Sequence, residues 1–517
     1  MQAANRVILN TGALYGRMLL TVFISLYATR LILNQLGAAD YGLFNLIGGV
    51  ITMLSFLNIA MTISTQRYMS FHIGTKDSHK LKMVFNASVL LHLILGITMV
   101  VLFEAAGSYL FDHVLNYPAE RTMAAKLIYQ FMIVSAFFTI ISVPCDATLI
   151  AQENMVMVAI LGVVESLGKL LIAIALQYTG HDKLIVYGAM MASLTILLLL
   201  FKQLYCAVKY PESRISIKRY FDRHLLTEMF AYAGWNMFGA GSVVARNQGL
   251  ALVLNVFFGA IVNAAYGIAN QVNAQLSYFS VTLLRALNPQ IIKSEGSGDR
   301  PRMLRLAMIA SKFSFYLLSF FAVPMMMEMP FVLQCWLKQV PEYTVMMCRL
   351  IVIATLVNQL SAGIQVAVQS VGKIRKYQVA VSTIVLLNLP VAWLLLSAGY
   401  PPSAVLISTI GIEVVSGTYR MMAAQKLTGL SPRIYTKQVL LRAVVPVLLS
   451  AAIAGIPQWC LPQGFIRLGV TMIVGALAMG IWIRLIGLTP EETTKLEQLF
   501  SRAFSKLQAR LIVLKAN

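Results

Sequence analysis

Arg17 and Arg246 stand inside long apolar stretches of this 517-residue chain, each in the opening stretch of one of two similar halves. A guanidinium offers planar, forked hydrogen bonding that fits phosphate oxygens, so both residues suit an anionic diphosphate. Snorkelling is the alternative for Arg17, which is near enough to an edge to reach it, whereas Arg246 lies deeper. Glu165 and Lys169 are four residues apart with the acid first, the order that places an ion pair on one helical face. The pair is either structural or part of a polar cavity wall, where Lys169 would meet an anion and Glu165 would exchange a proton. Glu413 lies near the middle of another stretch, with Ser416 and Arg420 three and seven residues on and therefore on the same face. A carboxylate at membrane depth needs a partner or a wet cavity, which makes Glu413 a candidate for ion coupling unless Tyr419 or Arg420 satisfies it. Asn247, Asn270 and Asn273 belong to a dense series of amides, with Asn236, Gln248, Asn255, Asn263, Gln271 and Gln275. Such groups glue helices together, and they would equally bind sugar hydroxyls. Arg285, Lys312, Glu104 and Glu328 fall near the ends of apolar stretches and read as snorkelling side chains. Asp146, two residues after Pro144, reads as the cap of a broken helix.

Other chemistries lack their residues. No GxxxxGK[ST], HExxH or GxSxG occurs, so a phosphate-cradling loop, a zincin site and a nucleophile elbow are absent. The five cysteines are scattered without metal-ligand or redox spacing and read as core thiols, with Cys335 and Cys348 as a pair that could meet near the outer face. The expectation is a chain with no cofactor, no metal and no enzymatic reaction.

The elements that hold these residues follow from composition. Hydrophobic residues make up 58% of the chain and charged residues 12%, too apolar for a soluble core. Apolar runs of about 20 residues recur from end to end, each long enough to cross a hydrocarbon layer about 30 Å thick. A β-barrel is excluded because runs such as Leu194 to Phe201 do not alternate. The net charge of +21 does not point to nucleic acid, since Lys and Arg sit in short clusters between apolar runs. An all-α integral membrane fold is expected, with spans near 8–28, 41–63, 83–108, 123–147, 157–179, 184–206, 228–256, 263–286, 306–329, 344–369, 378–398, 403–424, 439–459 and 466–486. With both termini in the cytoplasm, Arg30, Arg121, Lys126, Lys183, Lys338 and Arg467 are the basic residues left outside, which satisfies the positive-inside rule. Arg17 interrupts the first apolar stretch, so an uncleaved anchor is expected there rather than a signal peptide.

The longest basic loop, Lys202 to Arg223, separates two bundles that resemble each other. Leu31-Ile32-Leu33-Asn34, Gly37-Ala38 and Tyr41-Gly42-Leu43-Phe44-Asn45 recur as Leu252-Val253-Leu254-Asn255, Gly259-Ala260 and Tyr266-Gly267-Ile268-Ala269-Asn270. Six spans precede each recurrence, which makes the halves parallel repeats flanking a cleft of the kind in which transporters place substrate. The expected organisation is 1–213 and 214–430 for the two six-helix bundles, 431–488 for two extra spans and 489–517 for a cytoplasmic interfacial helix. Thr489-Pro490-Glu491-Glu492 supplies that helix with an N-cap, a proline in its first turn and acids at its positive end. Leu496, Phe500, Ala503, Leu507, Leu511 and Leu514 then give an apolar face, with Arg502, Lys506 and Arg510 on another, suited to an anionic leaflet.

Asn10-Thr11, Gly16-Arg17, Ala28-Thr29-Arg30, Leu36-Gly37 and Asp40-Tyr41-Gly42-Leu43-Phe44 together resemble the start of the bacterial polysaccharide exporters and O-antigen (Wzx-type) flippases. These belong to the MOP superfamily, which also holds the MATE drug exporters and the lipid II flippases. The resemblance implies two six-helix bundles around a cavity, two added helices, and alternating exposure of an undecaprenyl-diphosphate-linked oligosaccharide to cytoplasm and periplasm. It implies the bacterial inner membrane, contact with membrane lipids, and a polysaccharide polymerase and glycosyltransferases as partners. By position Arg17 carries over as the cavity cation facing the diphosphate, while Arg246 is proposed from depth alone. Ion antiport occurs in parts of the superfamily, and no specific ion-site motif is present here. The alternatives are a MATE-like drug or cation antiporter, which would favour an acidic cavity, and a membrane polymerase or ligase, which would need a sizeable external loop.

Overall fold

The computed structural model describes residues 3–52, 55–114, 119–337 and 339–494, together with 497. Among the described residues the regular elements are helical and no strand occurs. All fourteen expected stretches fall on helical segments. Among the described residues ten helices are long and apolar enough to cross a membrane, or eleven when the pair Thr344–Gln359 and Ala362–Val371, bent by 42°, is taken as one span.

The difference from fourteen has a local cause. Helix α1 (Ala3–Thr52) runs through the first expected span into the second, which α2 (Ser55–Thr75) completes. Helices α3 (Ser78–Tyr109), α4 (Thr122–Ala151), α5 (Met155–Ala175) and α6 (Lys183–Lys209) follow. Helix α7 (Arg223–Gly296) has 74 residues, roughly 110 Å of straight helix, and so carries two expected spans. It is followed by α8 (Arg300–Met327), α9 (Thr344–Gln359), α10 (Ala362–Val371), α11 (Arg375–Leu386) and α12 (Asn388–Ser397). Helix α13 (Ser403–Thr428) has Glu413 and Arg420 along its length and is not among the ten. Helices α14 (Leu441–Ala454) and α15 (Phe465–Trp482) close the series.

Two glycines break the long helices. Gly37 in α1 has φ 77° and ψ 167°, and Gly259 in α7 has φ 75° and ψ −167°, a region open essentially to glycine alone. Among the described residues, nothing beyond the local backbone lies within 4 Å of where a Cβ would stand at either position, so conformation and not crowding demands glycine. The repeat extends beyond them. The Asn45 amide donates to the Tyr41 carbonyl at 2.9 Å, and the Asn270 amide donates to the Tyr266 carbonyl at 3.0 Å. The duplicated sequence pattern is thus a duplicated backbone bend followed by the same side-chain bond.

The chain forms two compact units. The first comprises Met1–Ala245, Thr282–Leu306 and Val366–Leu386, and the second Arg246–Val281, Ala307–Gln365 and Leu387–Asn517. Helices α1 to α6 lie in the first unit, which holds one core around Met69, Phe85, Leu149 and Met155 and another around Ile47, Ile128, Leu176 and Leu184. The second unit has a core around Leu254, Leu318, Met347 and Val405 that takes in Ala443 and Met479 of α14 and α15.

Several span-end charges are not snorkelling. Lys312 is 2% exposed and donates to Glu492 at 2.5 Å and to the Gly487 carbonyl at 3.2 Å. Glu328 is fully buried and accepts from Arg467 at 2.9 and 3.1 Å. The first pair ties α8 to the segment after α15, and the second ties the residue following α8 to α15 itself, because a charge withdrawn from water needs a counter-charge and hydrogen bonds. Glu104 does remain at an exposed end, accepting from Gln130 at 3.2 Å. Helix α4 is not broken at Pro144 but continues to Ala151, and Asp146 pairs with Lys202 at 2.9 Å instead of capping. All five cysteines are free, Cys348 buried and Cys335 exposed. At the expected last helix start, the Thr489 N–H donates to Glu492 at 2.8 Å and the Glu492 N–H to the Thr489 hydroxyl at 3.4 Å, a reciprocal capping box. The amphipathic stretch from Leu496 to Leu514 lies outside the described residues.

Candidate translocation cavity

Helices α1 and α5 pack together in the first unit, and Arg17 of α1 meets α5 at Gly162. A methyl group at Gly162 would overlap the Arg17 guanidinium, so the glycine is what makes room for the charge. Gly162, Glu165 and Lys169 follow at spacings of three and four, which puts all three on one face of α5. That face borders a cavity of about 280 Å³ whose lining includes four cations, Arg17, Lys169, Lys202 and Arg285, and two carboxylates, Asp146 and Glu165. The carboxylates are already engaged, Glu165 with Lys169 at 2.7 Å and Asp146 with Lys202. Among these lining residues cations outnumber carboxylates. Among the described residues Arg17 Nε is a buried donor with no partner, and Asn58 Oδ1, on the same cavity, is a buried acceptor with none. Buried polar groups rarely stay unpaired, so the Arg17 donor leaves room for an acceptor oxygen and the Asn58 acceptor for a hydroxyl or N–H donor.

Arg246 is placed differently. Its Nη1 donates to Glu413 Oε1 at 2.6 Å, with side-chain exposures of 12% and 5%. The other Glu413 oxygen accepts from Asn358 at 2.7 Å, and Arg420, about two helical turns along α13, donates to Ser361 at 2.9 Å. Arg246 Nε also donates to Asn247 Oδ1 at 3.3 Å. Two residues that sequence reasoning assigned to separate tasks are thus one buried pair inside the second unit. Asn270 is occupied by Tyr266, while Asn273 Oδ1 is buried without a partner among the described residues.

The ends of α2 and α4 that the charge pattern assigns to the cytoplasm are fastened within the first unit. Glu153, at φ 59°, accepts from Lys293 at 2.6 Å and Gln290 at 2.9 Å, and its carbonyl accepts from Asn10 at 2.8 Å. Gly74 and Gly296 allow α2 and the end of α7 into backbone contact, since a methyl at either would overlap a carbonyl of the other helix. Arg67 is 6% exposed, lies 4.6, 5.0 and 5.4 Å from the Tyr68, Phe71 and Tyr232 rings, and donates to the Ser370 carbonyl at 3.0 Å. At the opposite end Arg121 donates to Asp40 at 2.9 Å and to Asp182 at 2.6 Å, joining α1, α4 and α6. Burial pushes the Asp182 carboxyl up, but Arg121 and the Leu184 and Ile185 N–H groups outweigh it and hold the group below the ordinary carboxylate value.

Reading the sequence alone identified Arg17, Glu165 and Lys169 but missed Gly162, Asn58, Lys202 and Arg285 as wall residues. The helical spacing from Gly162 to Lys169 was a usable signal. Lys202 had none, because a basic residue at a span end reads first as topology.

No family model and no curated protein matches the sequence. Solved structures do. An outward-facing multidrug-resistance MATE transporter of the MOP superfamily superposes with a TM-score of 0.72 at 13% identity, over 83% of this chain and 96% of that one. A MOP superfamily transporter from Pyrococcus furiosus, described as having a binding pocket of reversed polarity that suggests a different function, gives 0.68 at 13%, over 81% and 95%. The MATE transporter ClbM in complex with Rb+ gives 0.66 at 16%, over 82% and 96%. The chain has the MATE-type transporter fold and is a multi-pass membrane protein.

Proposed function

We propose that this protein is a flippase that carries a polyprenyl-diphosphate-linked oligosaccharide across the bacterial inner membrane for surface polysaccharide (O-antigen, capsule or lipopolysaccharide) synthesis. The observation that carries the reading is the excess of cations on the cavity wall, with Arg17 Nε left without an acceptor. Two phosphates offer several acceptor oxygens and negative charge at that point, whereas an organic cation would meet repulsion. Amides and hydroxyls on the same wall, Asn58, Thr62, Thr139 and Ser142, are the groups that bind sugars. Fourteen spans, cytoplasmic termini and work alongside a polymerase and glycosyltransferases complete the proposal. Transport proceeds by alternating access, with the Glu413 and Arg246 pair as the element that a proton or cation would open.

The test is transfer of a labelled lipid-linked sugar in vesicles holding the purified protein. Arg17→Gln is expected to slow transfer at least about tenfold, the loss of one charge-assisted fork, while leaving the protein inserted. Transfer at the parent rate would sink the reading. The fold likeness to MATE transporters supports a drug or cation antiporter as the second reading, and competition by organic cations but not by prenyl diphosphates would favour it.

A further inference from the structure

Beside the cationic cavity, and inside the same unit, lies a second chamber of about 360 Å³. Asn58, Thr139, Met191 and Thr195 line both. The remaining wall of the second is apolar, formed by Phe44, Met99, Phe103, Phe131, Met132 and Ile140 among others. Its few hydroxyls are consumed by their own helices. Ser135 donates to the Phe131 carbonyl at 2.8 Å, Thr139 to the Ser135 carbonyl at 2.8 Å and Thr195 to the Met191 carbonyl at 3.0 Å. Beyond the shared boundary at Asn58 and Thr139, a wall lined this way offers little to water and is suited to hydrocarbon, and three methionines let it adapt to an irregular chain. Its volume is in the range of small-ligand sites. Polarity therefore changes across one shared boundary, from unpaired Arg17 Nε and Asn58 Oδ1 on one side to aromatic and thioether groups on the other.

We propose that the second chamber holds the hydrocarbon attached directly to the anionic head, so that the first isoprenoid units of a prenyl diphosphate travel inside the protein. This rests on the reading that the cationic cavity takes the diphosphate. It departs from a carrier that leaves the whole chain in the bilayer. Only the distal part of the chain then stays in lipid.

The test measures binding of inorganic diphosphate, farnesyl diphosphate and farnesol to the full-length protein in nanodiscs, with empty nanodiscs subtracted. Farnesyl diphosphate is expected to bind about tenfold or more tighter than inorganic diphosphate, since each buried methylene adds to affinity. Ala136→Phe, which fills the chamber, should remove that advantage and leave inorganic diphosphate within about twofold of the parent. If inorganic diphosphate fails to bind, the anion site and this inference fall together. Should it bind with farnesyl diphosphate no tighter, or with Ala136→Phe indifferent, the chamber is overturned and the anion site stands. A farnesyl diphosphate bearing a diazirine on its second isoprene unit supplies a measurement on the unsubstituted chain. Adducts on Met99, Phe103, Phe131 or Met132 support the chamber, and adducts confined to exposed faces such as Leu171 or Leu197 overturn it.

Discussion

At the scale of single residues, the Arg17 guanidinium owes its position to a missing methyl group. Gly162→Ala should act through Arg17, lowering diphosphate affinity in the direction of Arg17→Gln while the protein remains folded, and titration of inorganic diphosphate against both variants checks it. The Arg246 and Glu413 pair follows a different rule. Removing either partner leaves the other buried and charged, a loss of about 3–5 kcal/mol, whereas Arg246→Met with Glu413→Leu together should restore most of it. Thermal unfolding of the two single variants and the double variant in detergent measures this, and equal additive losses would contradict it. Both residues were legible as costly charges in apolar sequence. That they satisfy each other was not, because nothing in a pattern of helical periods says which distant faces meet. Lys312 and Glu328 were misread for the same reason, since their partners Glu492 and Arg467 come from far along the chain.

At the scale of elements, the bends at Gly37 and Gly259 set where two long helices change direction. Alanine at either position must adopt a backbone geometry that costs it about 1–3 kcal/mol or straighten the helix. Similar losses of stability are expected from Gly37→Ala and Gly259→Ala, whereas Gly12→Ala, at an ordinary helical site with open space, should be neutral or stabilising. Denaturation curves for the three variants decide it. The repeat that located these glycines was readable because glycine and asparagine here are demanded by local backbone geometry. The number of spans was less readable, because hydropathy marks apolar stretches and cannot see a helix running through a turn. The first-turn signature at Thr489 was readable in full, since capping is a purely local interaction.

At the scale of the molecule, the fastened end of the first unit that the charge pattern assigns to the cytoplasm bears on how the cavity is reached. Glu153 gathers Lys293 and Gln290 with its carboxylate and Asn10 with its carbonyl, around a residue held at positive φ. Glu153→Gln weakens the pair with Lys293 and should raise labelling of a cysteine placed at Thr62 by a membrane-impermeant thiol reagent supplied from the cytoplasmic side. Unchanged labelling, in a background lacking the five native cysteines, would mean that this contact does not govern access. Fold class and the general architecture were written in composition and hydropathy. The cavity was only half written, because its wall is assembled from α1, α2, α4, α5, α6 and α7, and a sequence shows one strip of such a wall at a time.

The opening signature gains a meaning from the tie at the outer end. Asp40 is not there to meet cargo: its carboxylate grips Arg121, which also grips the residue capping α6, while Phe44, four places on, packs its ring 4.7 Å from Tyr187 of that same α6. The Asp40 end of that signature is a clasp for the scaffold, whereas its Arg17 end faces the cavity. What the protein carries is therefore to be read from the cavity wall and not from the clasp.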